Sequence, residues 1–102
     1  MSPMKQFKTK SATRNAIYKI VTPLTKGFFS DDAWQAVNNV WTALALFDVD
    51  VEIVKAEYKG FESKTWTFKL FVNGFEFSGY MVASFCGTTV DPTSRYDLCF
   101  II

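Results

Sequence analysis

Asp48, Asp50 and Glu52 set carboxylates at every second position of the stretch DVDVE. Acidic oxygens in series can hold a hard cation such as Mg²⁺ or Ca²⁺, or meet the basic surface of a partner. Residues two apart on an extended strand stand about 6.8 Å from each other. Three such groups cannot close on one ion, so docking is the better chemical reading. The ordinary alternative is a charged edge strand that deters aggregation.

The other reactive residues are few. There is no histidine, which removes the usual neutral-pH base and the commonest zinc ligand. Cys86 and Cys99 cannot build a four-ligand metal site alone, and no activating base lies near either in sequence. In the register derived below, Cys99 faces Val82 and Cys86 lies four residues off. That is roughly 13 Å along the strands, beyond the ~7 Å reach of a disulfide. Free thiols are expected. The stretch GTTVDPTSR (87–95) combines Ser, Thr, Asp and Arg, as a ligand loop would. It lacks the Gly-Lys-Ser/Thr of a phosphate loop, and an ordinary hairpin loop explains it better. No poised acid, base or nucleophile emerges. An enzyme is not expected, nor a metal or cofactor.

Charge is segregated along the chain. The net value of +1 divides into +6 over residues 1–30, which hold no acid, and −5 over residues 31–102. Lys5, Lys8, Lys10, Arg14 and Lys19 could contact nucleic-acid phosphates and release counterions, with Phe7 and Tyr18 stacking on bases. No nucleic-acid motif accompanies them, and a solvated basic segment is the competing reading.

The 102 residues, 49% apolar and 18% aromatic, suit one domain with one core. Residues 1–10 read as a basic, irregular segment. No secretory signal is evident, and no run approaches the ~18–20 apolar residues of a membrane span. A membrane is not an expected partner, and the cytoplasm is the expected compartment.

The elements follow from period. Ser11 as cap, Ala16, Ile17, Ile20 and Val21 at helical spacing, and Pro23 as stop predict a helix over 12–21. A strand through Ala16, Tyr18 and Ile20 competes. Ser30 as N-cap, Asp31 and Asp32 at the positive end of the dipole, and Phe29 as staple predict a helix over 31–46. Its apolar face runs through Trp34, Val37, Trp41 and Leu44, with Val40 beside them.

Beyond residue 48 the period falls to two. Strands are predicted over 49–58, 64–72, 75–85 and 95–102 in an antiparallel meander. Asn73-Gly74 favours a type I′ turn and sets Val72 opposite Phe75. Counting back pairs Leu70 with Phe77, Phe68 with Gly79 and Trp66 with Met81. The same logic pairs Ile53 with Phe68 and Glu52 with Lys69. Phe68 is expected to cover bare Gly79.

This phasing sends Val49, Val51, Ile53, Trp66, Phe68, Leu70, Phe75, Phe77, Met81, Leu98 and Phe100 toward the second helix. Val54, Ala56, Tyr58, Thr65, Thr67, Tyr80, Val82, Cys99 and Ile101 point away from it. An apolar patch of that size needs a cover. The expected cover is the first helix, through Ile17, Ile20 and Val21, as a second core. The functional alternative is another protein, or a second copy of the chain bound through the patch or the last strand's edge.

The fold expected is therefore α+β, with one or two helices on a four-stranded antiparallel meander. The helix-then-strands order resembles the cystatin-type arrangement by architectural analogy, without the Gln-x-Val-x-Gly motif. The expected function is a small non-catalytic protein-binding module, an inhibitor or adaptor such as phage and mobile elements encode. Tyr80, Val82, Ile101, Val54, Tyr58, Asp48, Asp50 and Glu52 are its candidate contacts. The alternatives are a nucleic-acid binder using the basic segment and a self-assembling virion or scaffold component.

Overall fold

The structure, a computed structural model, describes residues 4–25, 33–59, 63–85 and 96–102, without the side chains of Ala33, Trp34, Phe85 and Tyr96. Helix α1 runs Lys10–Thr25 and α2 runs Ala33–Leu46. Strands β1 (Asp50–Lys59), β2 (Ser63–Val72), β3 (Phe75–Phe85) and β4 (Tyr96–Ile101) form one antiparallel sheet in the order β1-β2-β3-β4. This is the α+β meander expected. The Ser30 cap with Phe29, Asp31 and Asp32, the side chain of Trp34, the 87–95 loop and Cys86 lie outside the described residues.

Helix α1 begins earlier and ends later than its apolar spacing suggests. Thr9, not Ser11, is the cap: its hydroxyl accepts from the Ala12 N–H at 3.1 Å, and the Thr13 hydroxyl donates back to the Thr9 carbonyl at 2.8 Å. Pro23 lies inside the helix. It sits two residues from the end, so the helical hydrogen bond it removes belongs to the last turn and the body of the helix is kept. Thr13, Ala16, Ile17 and Val21 are buried along one stripe.

Helix α2 buries Ala36, Val37, Val40 and Leu44. It ends in a left-handed cap. Asp48 has φ +60°, its N–H donates to the Ala45 carbonyl at 3.0 Å, and the Val49 N–H reaches the Leu44 carbonyl at 3.0 Å. Leu44 and Val49 are both buried at this closure, the apolar contact that such caps favour. Asp48 and Val49 thus belong to the turn, and β1 starts at Asp50.

The register matches every pair derived from the Asn73-Gly74 turn. One irregularity was not foreseen. A bulge between Ile53 and Lys55 inserts an extra residue in β1, so Ala56 faces Trp66 and Lys55 faces Thr67. From there the phase of β1 is reversed. Ala56 and Tyr58 share the face of Trp66, and the Tyr58 ring meets the Trp66 ring edge-on at 6.2 Å. They do not point outward as expected. Ile53, expected inside, is 44% exposed.

Both helices pack on one face of the sheet. Trp41 of α2 meets Phe68 at 5.3 Å, and Tyr18 of α1 meets Phe100 at 6.0 Å. Lys10 and Arg14 lie over the Phe77 ring. The expectation that α1 covers the far face is therefore wrong. Ile17 and Val21 instead join Phe68, Leu70, Phe77 and Met81 in one core. Each large side chain fully buried there contributes about 1.5–3 kcal/mol.

Ahead of α1, residues 4–9 form a turn and then irregular chain, and they are tied to the core. Met4 is buried in the core and Phe7 packs against it. The Phe7 N–H closes a turn on the Met4 carbonyl at 3.1 Å. The Asn73 amide donates to the carbonyls of both Met4 and Phe7. At the other end, the chain leaves β4 and crosses Gly79, where an added Cβ would stand 2.0 Å from the Ile101 carbonyl oxygen and 2.8 Å from Ile102. The Ile101–Ile102 backbone comes this close only because Gly79, which stands opposite Phe68, has no side chain. The Tyr18 hydroxyl accepts from the Ile102 N–H at 3.0 Å and lies 3.2 Å from the Ile102 carbonyl.

Candidate protein-docking surface

The sheet face away from the helices is built by alternation. On β3 and β4, Tyr80 stands opposite Ile101 and Val82 opposite Cys99. On β2, Thr67 stands opposite Tyr80 and Thr65 opposite Val82. These residues form one contiguous surface because cross-strand neighbours on a face lie about 4.5–5.5 Å apart. Tyr80 is 43% exposed, Ile101 40% and Phe71 38%. Cys99 carries an exposed free thiol, and Val82 is half-buried.

The other half of the face is charged. Asp50 stands opposite Phe71 and Glu52 opposite Lys69. The Lys69 ammonium nevertheless pairs diagonally with Glu76 at 3.7 Å rather than with Glu52. Lys55 and Glu57, brought to this face by the bulge, are 2.5 Å apart. That hydrogen bond, with the attraction accompanying it, holds the Glu57 carboxyl below its usual range and raises the Lys55 ammonium above its own. Asp50, Glu52, Glu57, Glu76 and Asp97 outnumber Lys55, Lys59 and Lys69, leaving the face net negative.

The residues proposed from sequence as contacts do not all meet. Tyr80, Val82 and Ile101 lie together, with Asp50 and Glu52 toward the opposite edge of the same face. Val54 sits at the bulge and is exposed. Tyr58 lies on the helix-bearing face. Asp48 is in the α2 cap, so the three-carboxylate series is broken at its first member. Asp48, Asp50 and Glu76 do line a cleft of about 400 Å³ beside Lys5. Among the described residues, no three His, Cys, Asp or Glu side chains are placed to hold a metal. Phe71 joins this face without being among the sequence candidates, since Leu70-Phe71-Val72 is apolar on both faces.

The basic residues are dispersed. Lys5 and Lys8 flank the Asn73 turn. Lys10 and Arg14 lie over Phe77. Lys19 lines a separate groove with Ile20, about half a circle round α1 from Lys10. The rings that would stack on bases are engaged: Phe7 and Tyr18 pack against the core. Among the described residues no helix is long and apolar enough to cross a membrane.

Comparison with known proteins gives no matching family model, no matching curated protein and no matching solved structure.

Proposed function

We propose that this chain is a small non-catalytic protein-binding module, of inhibitor or adaptor type, that seats its partner on the uncovered sheet face. The observation carrying this reading is the placement of both helices on one side, which leaves Tyr80, Val82 and Ile101 adjacent on the other. Tyrosine is among the residues that binding hot spots favour, and apolar neighbours such as Val82 and Ile101 would exclude water around it. The surplus of carboxylates around them calls for a partner with an apolar centre and a basic rim. Two copies placed face to face would oppose like charge, so a different protein is the better occupant. The reading takes the protein to work in a reducing compartment such as the cytoplasm, where Cys99 stays a thiol.

Binding of nucleic acid through Lys5, Lys8, Lys10, Arg14 and Lys19 draws less support. Lys5 and Lys8 share one cleft and Lys10 and Arg14 one ring, but Lys19 lies on another side of α1, and Phe7 and Tyr18 are used in packing.

The test begins with capture on the wild-type chain, followed by purification of the candidate partner. Its affinity should fall at least tenfold for Tyr80→Lys and Ile101→Glu, with the circular dichroism spectrum unchanged. Equal affinity for both variants would remove the face from the interaction. A light-scattering mass of two chains that reverts to one in Tyr80→Lys would assign the face to a second copy.

A further inference from the structure

Going beyond the sheet face, we propose that the helix layer carries a second docking site, which takes an acidic peptide segment through one leucine- or phenylalanine-sized anchor. The site is a groove of about 200 Å³ formed by the N-terminal turn, α1 and the end of α2. Met4 and Ala16 are buried there, Phe7, Ile20 and Phe47 are apolar walls, and Lys19 lies among them. Small-molecule sites usually enclose about 300–1,000 Å³. This groove is smaller and open, so it suits one side chain of a larger partner. Leu46, 76% exposed, adjoins Phe47 and extends the apolar surface.

Charge decides the partner's chemistry. Phe7 also lines a neighbouring cleft of about 330 Å³ with Lys5, Lys8, Asn73 and Phe75. One ring therefore separates an apolar groove from a cleft bearing two ammonium groups. Among the described residues no carboxylate lines either one. Residues 4–25 contain no acid, and α2 carries no charge at all. Asp48, which follows Phe47, lines a different cleft with Asp50 and Glu76, and Lys5 borders that cleft as well. A basic or neutral segment would leave Lys8 and Lys19 unmatched, and an anionic surface without an apolar anchor would leave the groove unfilled. A peptide with a central large apolar residue and flanking carboxylates satisfies both.

The probe is a fluorescein-labelled pentapeptide of one phenylalanine between two pairs of glutamates, followed by anisotropy and by amide chemical shifts of the full chain. Saturable binding with shifts centred on Ala16, Lys19, Ile20 and Phe47 is expected. Lys19→Glu should weaken it at least threefold, and Ile20→Ala about fivefold. Replacing the central phenylalanine by serine should weaken it by about tenfold, and a lysine-flanked peptide should not bind. Equal affinity for the serine peptide would overturn the proposal, as would no saturation by about 5 mM peptide, where a free energy of only ~3 kcal/mol would suffice. Shifts confined to Tyr80, Val82 and Ile101 would also overturn it while leaving the sheet-face reading standing. Loss of the sheet-face partner in Tyr80→Lys says nothing about this groove, so the two ideas fail separately.

Discussion

Two residues hold backbone positions that their neighbours impose. Asp48 sits at φ +60° because the α2 cap needs a left-handed residue, and aspartate adopts that region at a cost glycine does not bear. Asp48→Gly should raise stability by about 0.5–1 kcal/mol, read as a higher urea midpoint at unchanged slope; a lower midpoint would mean that the carboxylate itself holds the cap. Gly79 is the reverse case. Its Cβ would overlap the Ile101 carbonyl, which is backbone and cannot swing aside. Gly79→Ala should cost about 2 kcal/mol or more by overpacking.

The Lys55–Glu57 pair yields a prediction of sign. Glu57 is lowered in the folded state, so its contribution is present above its unfolded value and fades as pH falls through the folded one. Lys55 is raised, so its contribution is present below its unfolded value and fades as pH rises through the folded one. The pair is therefore at full strength between the carboxylate and lysine ranges. Both groups are exposed, and salt should weaken the effect. A carbon-detected NMR titration should find the Glu57 midpoint below the ordinary carboxylate range. Lys55→Met should move it back up; no movement would assign the shift to another group.

At the scale of elements, the meander was legible because one turn fixed it. Asn73-Gly74 permits a two-residue I′ loop, and alternation then leaves one register that keeps Trp66, Phe68 and Leu70 on a single face. The bulge was not legible. Ile53-Val54 is apolar at both positions, so alternation does not say which one is extra, and Tyr58 changed sides in consequence. The side of the sheet chosen by α1 was not legible either, because Ile17 and Val21 would fit against either face. What decides it is long-range: the Tyr18 hydroxyl on Ile102 and the ring contact with Phe100. Of the candidate site, Tyr80 and Val82 could be read because they depend only on the turn, and Ile101 because alternation within β4 sets its face. Asp48 could not, because a helix cap interrupted the strand period. Asn73 serves two purposes, with φ +54° in the turn and an amide on the Met4 and Phe7 carbonyls. Asn73→Gly keeps the turn and removes the clamp. It should lower stability by about 1–2 kcal/mol and speed hydrogen exchange in residues 4–9; unchanged exchange there would show that the clamp is idle.

At the scale of the molecule, the two-layer plan divides the aromatics that the sequence leaves in surplus. Phe68, Phe77, Phe100 and Trp66 are buried between sheet and helices, while Tyr80 and Phe71 stand on the open face. A core residue and a residue of the open face of similar size must then respond to substitution by very different amounts. Phe68→Ala should cost about 3–5 kcal/mol, since the ring is fully enclosed and its loss leaves a cavity. Tyr80→Lys should change stability by no more than about 0.5 kcal/mol, because the side chain is exposed on the face that carries no helix. It should also raise solubility by breaking the apolar patch. Parallel urea melts of the two variants decide the matter. A Tyr80→Lys loss comparable to that of Phe68→Ala would mean that the face is part of a second core, and the surface assigned to a partner would cease to exist.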